Sequence, residues 1–290
     1  MARAKPFTVK QFLDLYPNDE ACLDAIMSAR MGGDRMFCPG CGAEAKFYRV
    51  TGRRAYVCQF CGDHYYPCAG TIFQDSRTSL LSWFYAIYLF TTSRHGVPAK
   101  ELERQLGVTY KTAWRMGHQI RKLMDDEGPD KLQGHVEIDE AYFGPRKGRK
   151  LGRATNKKHI LVGMIERDGN AKVVPVLNAR MPTLRKLVNE TVQKPSAIST
   201  DEFSSYNLVA RDGYEHGTVK HSKDEYVRGP WHVNSIEGFW SRLKSSIGGT
   251  HVHVSGKYLP KYAAEFAYRY SNRKEPEKMF SRLVSAISER

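Results

Sequence analysis

No apolar run in this sequence is long enough to cross a bilayer. The longest, LLSWFYAIYLF at 80–90, falls well short of the roughly 20 residues a membrane helix needs and reads as a buried helix. The opening stretch, MARAKPFTVKQFLDLYP, lacks the apolar segment of a secretory signal. No Gly-x4-Gly-Lys-Ser/Thr loop occurs, so ATP hydrolysis is not indicated. Acid is scarce beside base: 31 Asp and Glu stand against 45 Lys and Arg, a formal charge of +14. With no membrane role expected, that surplus points to nucleic acid as the polyanionic partner, and to a cytoplasmic, nucleoid-associated chain.

Cysteine is sparse too, six in 290 residues, and a reducing compartment leaves disulfides without a role. Four of the six form CPGCG at 38–42 and CQFCG at 58–62, two Cys-x2-Cys pairs separated by sixteen residues. Two residues between thiolates let one tight turn present both sulfurs to a tetrahedral ion, and Gly42 and Gly62 permit the turn. The intervening segment reads as a β-hairpin, so the expectation is a zinc ribbon with Cys38, Cys41, Cys58 and Cys61 closing a structural Zn²⁺ site. A redox pair or four unrelated buried cysteines would not explain the doubled spacing. Cys22 and Cys68 read as core residues, and His64 has no place left on the metal.

Beyond the ribbon, Ser79 or Thr78 is a fitting cap for the helix that LLSWFYAIYLFTTS predicts. Residues 97–124 then read as two helices joined by a turn at GVT, 107–109, the helix-turn-helix pattern. Tyr110, Lys111, Arg115 and His118 are expected on the exposed face of the second helix, with Lys111 and Arg115 contacting DNA. A polar linker, DDEGPDKLQG at 125–134, marks a domain boundary.

From residue 135 the pattern becomes strand-like. HVEIDEAYFG, HILVGMIER and KVVPVLNAR read as a three-stranded meander, MPTLRKLVNETVQ as a helix, and SAIST at 196–200 as a fourth strand. That order predicts an α+β, RNase-H-like fold, a mixed sheet flanked by helices. Asp139 then lies within the first strand and Asp201 at the end of the fourth, its expected neighbour. On a later helix, Ile236, Trp240, Leu243 and Ile247 form an apolar stripe, while Asn234, Glu237, Ser241 and Lys244 line the opposite face. Glu237 can complete a cluster with the two aspartates. Three carboxylates converge when cations neutralise them, and hard Mg²⁺ or Mn²⁺, as a pair of ions, suits that set. Glu137, Glu140 and Glu202 are nearby competitors, expected behind the cluster or facing solvent.

The stretches VEIDEAYFG, STDEFSSY, HVNSIEGFWSRLK and FAYRYSNR, with the cysteine ribbon and GTIFQDSRTSL, resemble bacterial insertion-sequence transposases of the zinc-ribbon, DDE (ISXO2-like) type. The likeness runs from about residue 20 to 275. It implies that Asp139, Asp201 and Glu237 are the metal-binding catalytic triad and that Lys244 matches a basic position near the cleaved phosphate. Some relatives carry Asn as the third member, which brings Asn234 into the catalytic set. TVKHSKDEYVRGP at 218–230 matches no assigned element.

Two basic regions complete the expected DNA path. PRKGRKLGRATNKK at 145–158 holds seven basic residues and no acid, Arg146, Lys147, Arg149 and Lys150 among them. Arg242 and Lys244 open a second region reaching Lys274, where Tyr258, Tyr262, Phe266, Tyr268 and Tyr270 are mostly expected in the core. The domains expected are an N-terminal helical segment (1–35), the ribbon (36–76), the helix-turn-helix (77–127), the catalytic domain (133–274) and a C-terminal tail (275–290). The function expected is end binding, metal-dependent nicking and 3′-OH strand transfer on double-stranded DNA, by a homodimer that pairs two ends. The alternatives are a DNA-binding regulator or domesticated transposase without catalysis, and an RNase-H-class nuclease that cuts without joining.

Overall fold

Capping residues fix where the first helices begin. Thr8 and Gln11 form a reciprocal capping box at the head of α1 (Val9–Leu15). Asn18 accepts from the Ala21 N–H at 2.9 Å and starts α2 (Asp19–Met31), which Gly32 ends in the left-handed region. The ribbon follows as four antiparallel strands in sequence order, β1 (Arg35–Phe37), β2 (Glu44–Arg49), β3 (Tyr56–Cys58) and β4 (His64–Tyr65). Of the two caps expected for α3 (Leu80–Thr92), Ser79 serves, accepting from the Ser82 N–H. The Asp19 carboxylate adds a cap from outside the helix, accepting from the Leu80 and Leu81 N–H groups at 3.0 and 2.9 Å. α4 (Ala99–Leu106) turns at Gly107, φ 63°, towards α5 (Tyr110–Asp126).

The structure is a computed structural model that describes residues 7–126, 128–144, 158–206 and 209–289. It divides into two units, Met1–Glu127 with Asn272–Arg290, and Gly128–Ser271. Arg146, Lys147, Arg149 and Lys150 lie outside the described residues.

The second unit is built on β5 (Leu132–Phe143), β6 (His159–Glu166), β7 (Ala171–Val176), α6 (Met181–Thr191), β8 (Val192–Thr200), β9 (Glu215–Thr218), α7 (Asn234–Ser246) and α8 (Leu259–Ser271). Its sheet runs β7-β6-β5-β8-β9, with β5, β6 and β7 antiparallel and β8 and β9 parallel to β5. This is the expected RNase-H-like sheet, with one strand, β9, that the sequence reading did not include. Alternation divides the two faces. Val136, Ile138, Val162 and Met164 pack on Leu184 and Val188 of α6. Ala141, Leu161 and Ile165 pack on α7 and α8 through Ile236, Phe239, Trp240, Leu243 and Phe266. Burying each of these large side chains is worth roughly 1.5–3 kcal/mol, far more than helix propensity contributes to holding α7 in place.

Residues 275–290 are not a free tail. They contain α9 (Met279–Ser285), which belongs to the first unit. Phe280 sits among Phe12, Tyr16 and Phe84, with ring centroids 5.9, 5.4 and 6.0 Å away. The apolar residues Met279, Phe280, Leu283 and Val284 repeat at helical spacing and are all buried, which is why the segment docks.

Candidate metal centre and candidate active site

Each Cys-x2-Cys pair closes a tight backbone turn. The Gly42 N–H donates to the Cys38 carbonyl at 2.8 Å and the Gly62 N–H to the Cys58 carbonyl at 3.2 Å, both glycines lying at positive φ. The four sulfurs lie within 4.8 Å of one another. A tetrahedron with arms of about 2.3 Å has edges of about 3.8 Å. The sulfurs of Cys38 and Cys61 are 3.5 Å apart and those of Cys41 and Cys58 4.0 Å. Backbone N–H groups of Cys61 and Phe60 aimed at the Cys58 sulfur pull its thiol down to about 7, while burial and the sulfurs of Cys38, Cys58 and Cys41 push Cys61 up to about 12. The donor set fits a structural zinc ion, and four thiolates leave no open position for chemistry.

In the second unit, strand register brings two of the expected acids together. β5 and β8 pair in parallel as far as Glu137 opposite Ser199, with Asp139 two residues further along β5 and Asp201 just past the end of β8. Burial first, then the Asp201 and Glu237 carboxylates, push the Asp139 carboxyl up to about 6, against the pull of Lys244 and of the Glu140 N–H. Asp201 turns its Oδ1 to the Phe203 N–H at 2.9 Å, which fixes the chain as it leaves the strand. Among the described residues, the carboxylates are not drawn as tightly together as the sulfurs. Burial is the first cause of the raised Asp139 carboxyl and the neighbouring acids the next, and a cation held there would favour the ionised form. Hard dications such as Mg²⁺ or Mn²⁺ fit such an oxygen set.

α7 brings the third acid. Of its expected apolar stripe Ile236, Trp240 and Leu243 are buried, with Phe239 added, while Ile247 falls just past the helix and is half-buried; Asn234, Glu237, Ser241, Arg242 and Lys244 are exposed. The helix approaches β6 so closely that a Cβ on Gly163 would meet Ile236 and Trp240 at 2.6 Å. Gly163 is the register partner of Asp139, so the closest approach of helix to sheet lies beside the first aspartate. The Lys244 ammonium lies 6.0 Å from the Phe143 ring centroid, at the end of β5. His221, from the segment that matched no assigned element, sets Nδ1 3.5 Å from Glu237 Oε1. Sequence reasoning missed it because no spacing ties residue 221 to 237.

The competing acids are accounted for. Glu137 is fully buried, with both oxygens occupied. Glu140 points to the opposite face, buried near Tyr206, whose phenol is pushed well above its usual range by burial and then by Glu140. Glu202 is exposed and accepts from the Ser222 N–H at 3.3 Å.

The helix-turn-helix residues need correction. Lys111 is exposed, as expected. His118 is buried, its ring 4.1 Å from that of Trp114, and Arg115 is half-buried. The Arg115 guanidinium lies 5.7 Å from the Trp83 ring centroid and donates to Ser76 Oγ at 3.3 Å. Contacts with α3 and α4 cover more of α5 than its apolar stripe alone suggested. In the basic region after Arg242, Phe266 and Tyr268 are buried and Tyr258, Tyr262 and Tyr270 half-buried, in keeping with the core reading.

No helix among the described residues is long and apolar enough to cross a membrane. The transposase zinc-ribbon domain matches residues 17–64, and the ISXO2-like transposase domain matches residues 131–271. An uncharacterized protein in transposable element ISH50 of Halobacterium salinarum is 30% identical over 264 residues, covering 84% of this chain and 88% of that protein. An uncharacterized transposase-like protein of Haemophilus influenzae is 25% identical over 99 residues, 34% of this chain and 79% of that protein. Among solved structures, a chain of a simian T-cell lymphotropic virus intasome in complex with PP2A regulatory subunit B56 gamma superposes with a TM-score of 0.30 at 13% identity. That match covers 57% of this chain and 63% of the other. The strand order, and not that superposition, identifies the RNase-H-like fold. A relative aligned over most of both chains, together with the matched ribbon and sheet, establishes that the chain belongs to the ISXO2-like transposase family.

Proposed function

We propose that this chain binds the ends of a mobile DNA element and nicks and joins DNA strands at Asp139, Asp201 and Glu237. The observation that supports the reading is the β5–β8 pairing, which runs to Glu137 opposite Ser199, two residues before each aspartate, together with the Asp201 and Glu237 carboxylates that raise the Asp139 carboxyl beyond what burial does. Those three side chains would hold Mg²⁺ or Mn²⁺, which supplies Lewis-acid stabilisation of the attacking and leaving oxygens. Asn234 stands one helical turn before Glu237 on the same stripe. Lys244 lies about 10 Å further along at 1.5 Å per residue, placed to hold a phosphate oxygen.

In the first step water attacks a phosphodiester at the element end, and the bond to the departing 3′ oxygen breaks to leave a 3′-OH. In the second, that hydroxyl attacks a target phosphodiester and releases another 3′-OH. Each joining makes one phosphodiester bond for the one it breaks, so no ATP is required. Recognition of the ends falls to the ribbon, held by Zn²⁺ on Cys38, Cys41, Cys58 and Cys61, and to the α4–α5 pair. Lys111 is the exposed DNA contact on α5, and Arg115 reaches DNA only by leaving Ser76. Arg146, Lys147, Arg149, Lys150 and Arg242 contact phosphates of double-stranded DNA. A homodimer would hold two ends at once.

Asp139→Asn, Asp201→Asn and Glu237→Gln test the reading. Each should still shift end DNA in a gel yet lose nicking, and lose joining of a pre-nicked end. Three variants that all keep both steps would place the chemistry at other residues, and a parent protein that binds end DNA but performs neither step would leave a DNA-binding regulator as the function. Loss of joining in Asn234→Ala with Glu237→Gln unaffected would move the third ligand to Asn234.

A further inference from the structure

Helix α7 begins without a cap of its own. Its N-cap residue is Val233, which has no side-chain acceptor, so the first N–H groups of the helix must find partners elsewhere. The partner is Glu137, on β5. Its Oε2 accepts from the Ser235 N–H at 2.8 Å and the Ile236 N–H at 3.2 Å, and its Oε1 accepts from Ser235 Oγ at 3.1 Å. Arg167, just past β6, donates from Nε to the same Oε1 at 2.9 Å. The guanidinium then reaches the carbonyls of Pro230 and His232 at 2.5 and 3.2 Å, clamping the segment that leads into the helix. Nη1 lies 3.2 Å from His135 Nδ1, and His135 Nε2 lies 2.7 Å from Ser199 Oγ on β8. Nδ1 of His232 is 3.1 Å from Oε1, without the direction of a hydrogen bond.

Two geometrical facts give this contact its consequence. Glu137 and Asp139 are two residues apart on one strand, so their side chains share a face of the sheet. Ile236, whose amide Glu137 holds, directly precedes Glu237. We infer that Glu137, backed by Arg167, is the positioning residue that sets Glu237 at its working distance from Asp139 and Asp201. Its carboxylate suits the task because the amino end of a helix carries partial positive charge, and because two oxygens can hold helix and arginine together. Neither oxygen is left over to take a metal ion, so Glu137 acts through Glu237 rather than beside it. Ser199 places the β8 strand in the same network, two residues before Asp201.

This inference rests on Asp139, Asp201 and Glu237 being the reacting centre, and the test separates the two. The readouts are triad-dependent Mn²⁺ binding by the full-length, DNA-free protein, meaning the signal that Asp139→Asn abolishes, amide hydrogen exchange at Ser235 and Ile236, and joining of a pre-nicked end. Glu137→Gln should fold and bind end DNA, lose protection at those two amides, and bind Mn²⁺ about 10–100-fold more weakly, with joining reduced to match. Glu137→Asp should fall between it and the parent protein. Wild-type Mn²⁺ affinity and exchange in Glu137→Gln would overturn the positioning role. If Glu137→Gln does not fold, Ser235→Ala decides: removing one hydrogen bond should weaken Mn²⁺ by about threefold, and unchanged affinity overturns the inference. If the parent protein shows no triad-dependent Mn²⁺ signal, the reading of the centre itself fails.

Discussion

The four sulfurs of the ribbon come from two stretches of four residues, and one tight turn assembles each pair. The three carboxylates come from two strands and a helix spread between residues 139 and 237, and nothing local brings them together. In the ribbon few apolar residues back the short strands, so a metal on the four sulfurs would supply much of the folding energy. In the second unit a buried sheet does the folding, and the carboxylates stand on its central strand, just past the end of β8 and on α7. One site is a staple. The other is a cost carried by the surrounding core.

If that contrast is right, the two sites should fail differently. The largest effect is expected for the double variant Cys38→Ser, Cys41→Ser. Structural zinc is worth on the order of 10 kcal/mol to such a module, so the ribbon should unfold. Elemental analysis should show about one zinc lost per chain, and limited proteolysis should cut within residues 36–66. A variant that keeps its zinc and resists the protease would break the comparison.

Gly163→Ala should come next. Its new methyl would meet Ile236 and Trp240 inside contact distance, and overpacking of this kind costs about 1–3 kcal/mol. The second unit should melt a few degrees lower but still cooperatively, while joining falls by much more than stability does, because α7 is pushed away from the sheet. Equal losses in both would mean that helix position does not control the centre.

Asp139→Asn sharpens the point with the opposite sign. A carboxyl raised to about 6 in the folded chain, from an ordinary 3.8, binds its proton more tightly folded than unfolded. The stability this contributes is present at low pH and is lost as pH rises from about 4 to about 6. In metal-free protein at pH 8, Asp139→Asn should therefore be more stable than the parent, by on the order of 3 kcal/mol. The gain should shrink towards pH 4. Thermal melts in chelator at both pH values would check it, and a destabilised variant at pH 8 would contradict the account.

Lys244→Ala should have the smallest effect, well under 1 kcal/mol on stability for an exposed lysine. Its joining defect should ease at low salt, where the remaining phosphate contacts strengthen. A defect independent of salt from 50 to 200 mM would argue for a role other than phosphate contact.

How much of this was legible follows the same divide. The cysteines could be read because spacing alone specifies their geometry. Asp139 and Asp201 needed one further step, from strand order to adjacency, and the apolar alternation of β5, β6 and β8 was strong enough to give it. β9 was not legible, since EHGT is short and polar, and it pairs only because β8 offers an open edge. His118 was misplaced because helical periodicity marks the most apolar stripe and not the full width that neighbouring helices cover. Glu137 could be seen as an acid near the cluster, but its use depends on an amide 98 residues further along. No local pattern encodes that distance.

The return of α9 to the first unit has a consequence for synthesis. Phe280 completes an aromatic cluster begun by Phe12 and Tyr16, so the unit that is begun first by the ribosome cannot close until α9 has been made. At about 5–20 residues per second, the interval between residue 127 and α9 is on the order of 10 to 30 s. Throughout that time the nascent chain carries an open apolar socket. A product that stops after the sheet and before Met279 keeps the ribbon but lacks the helix whose Phe280 packs against Phe12, Tyr16 and Phe84.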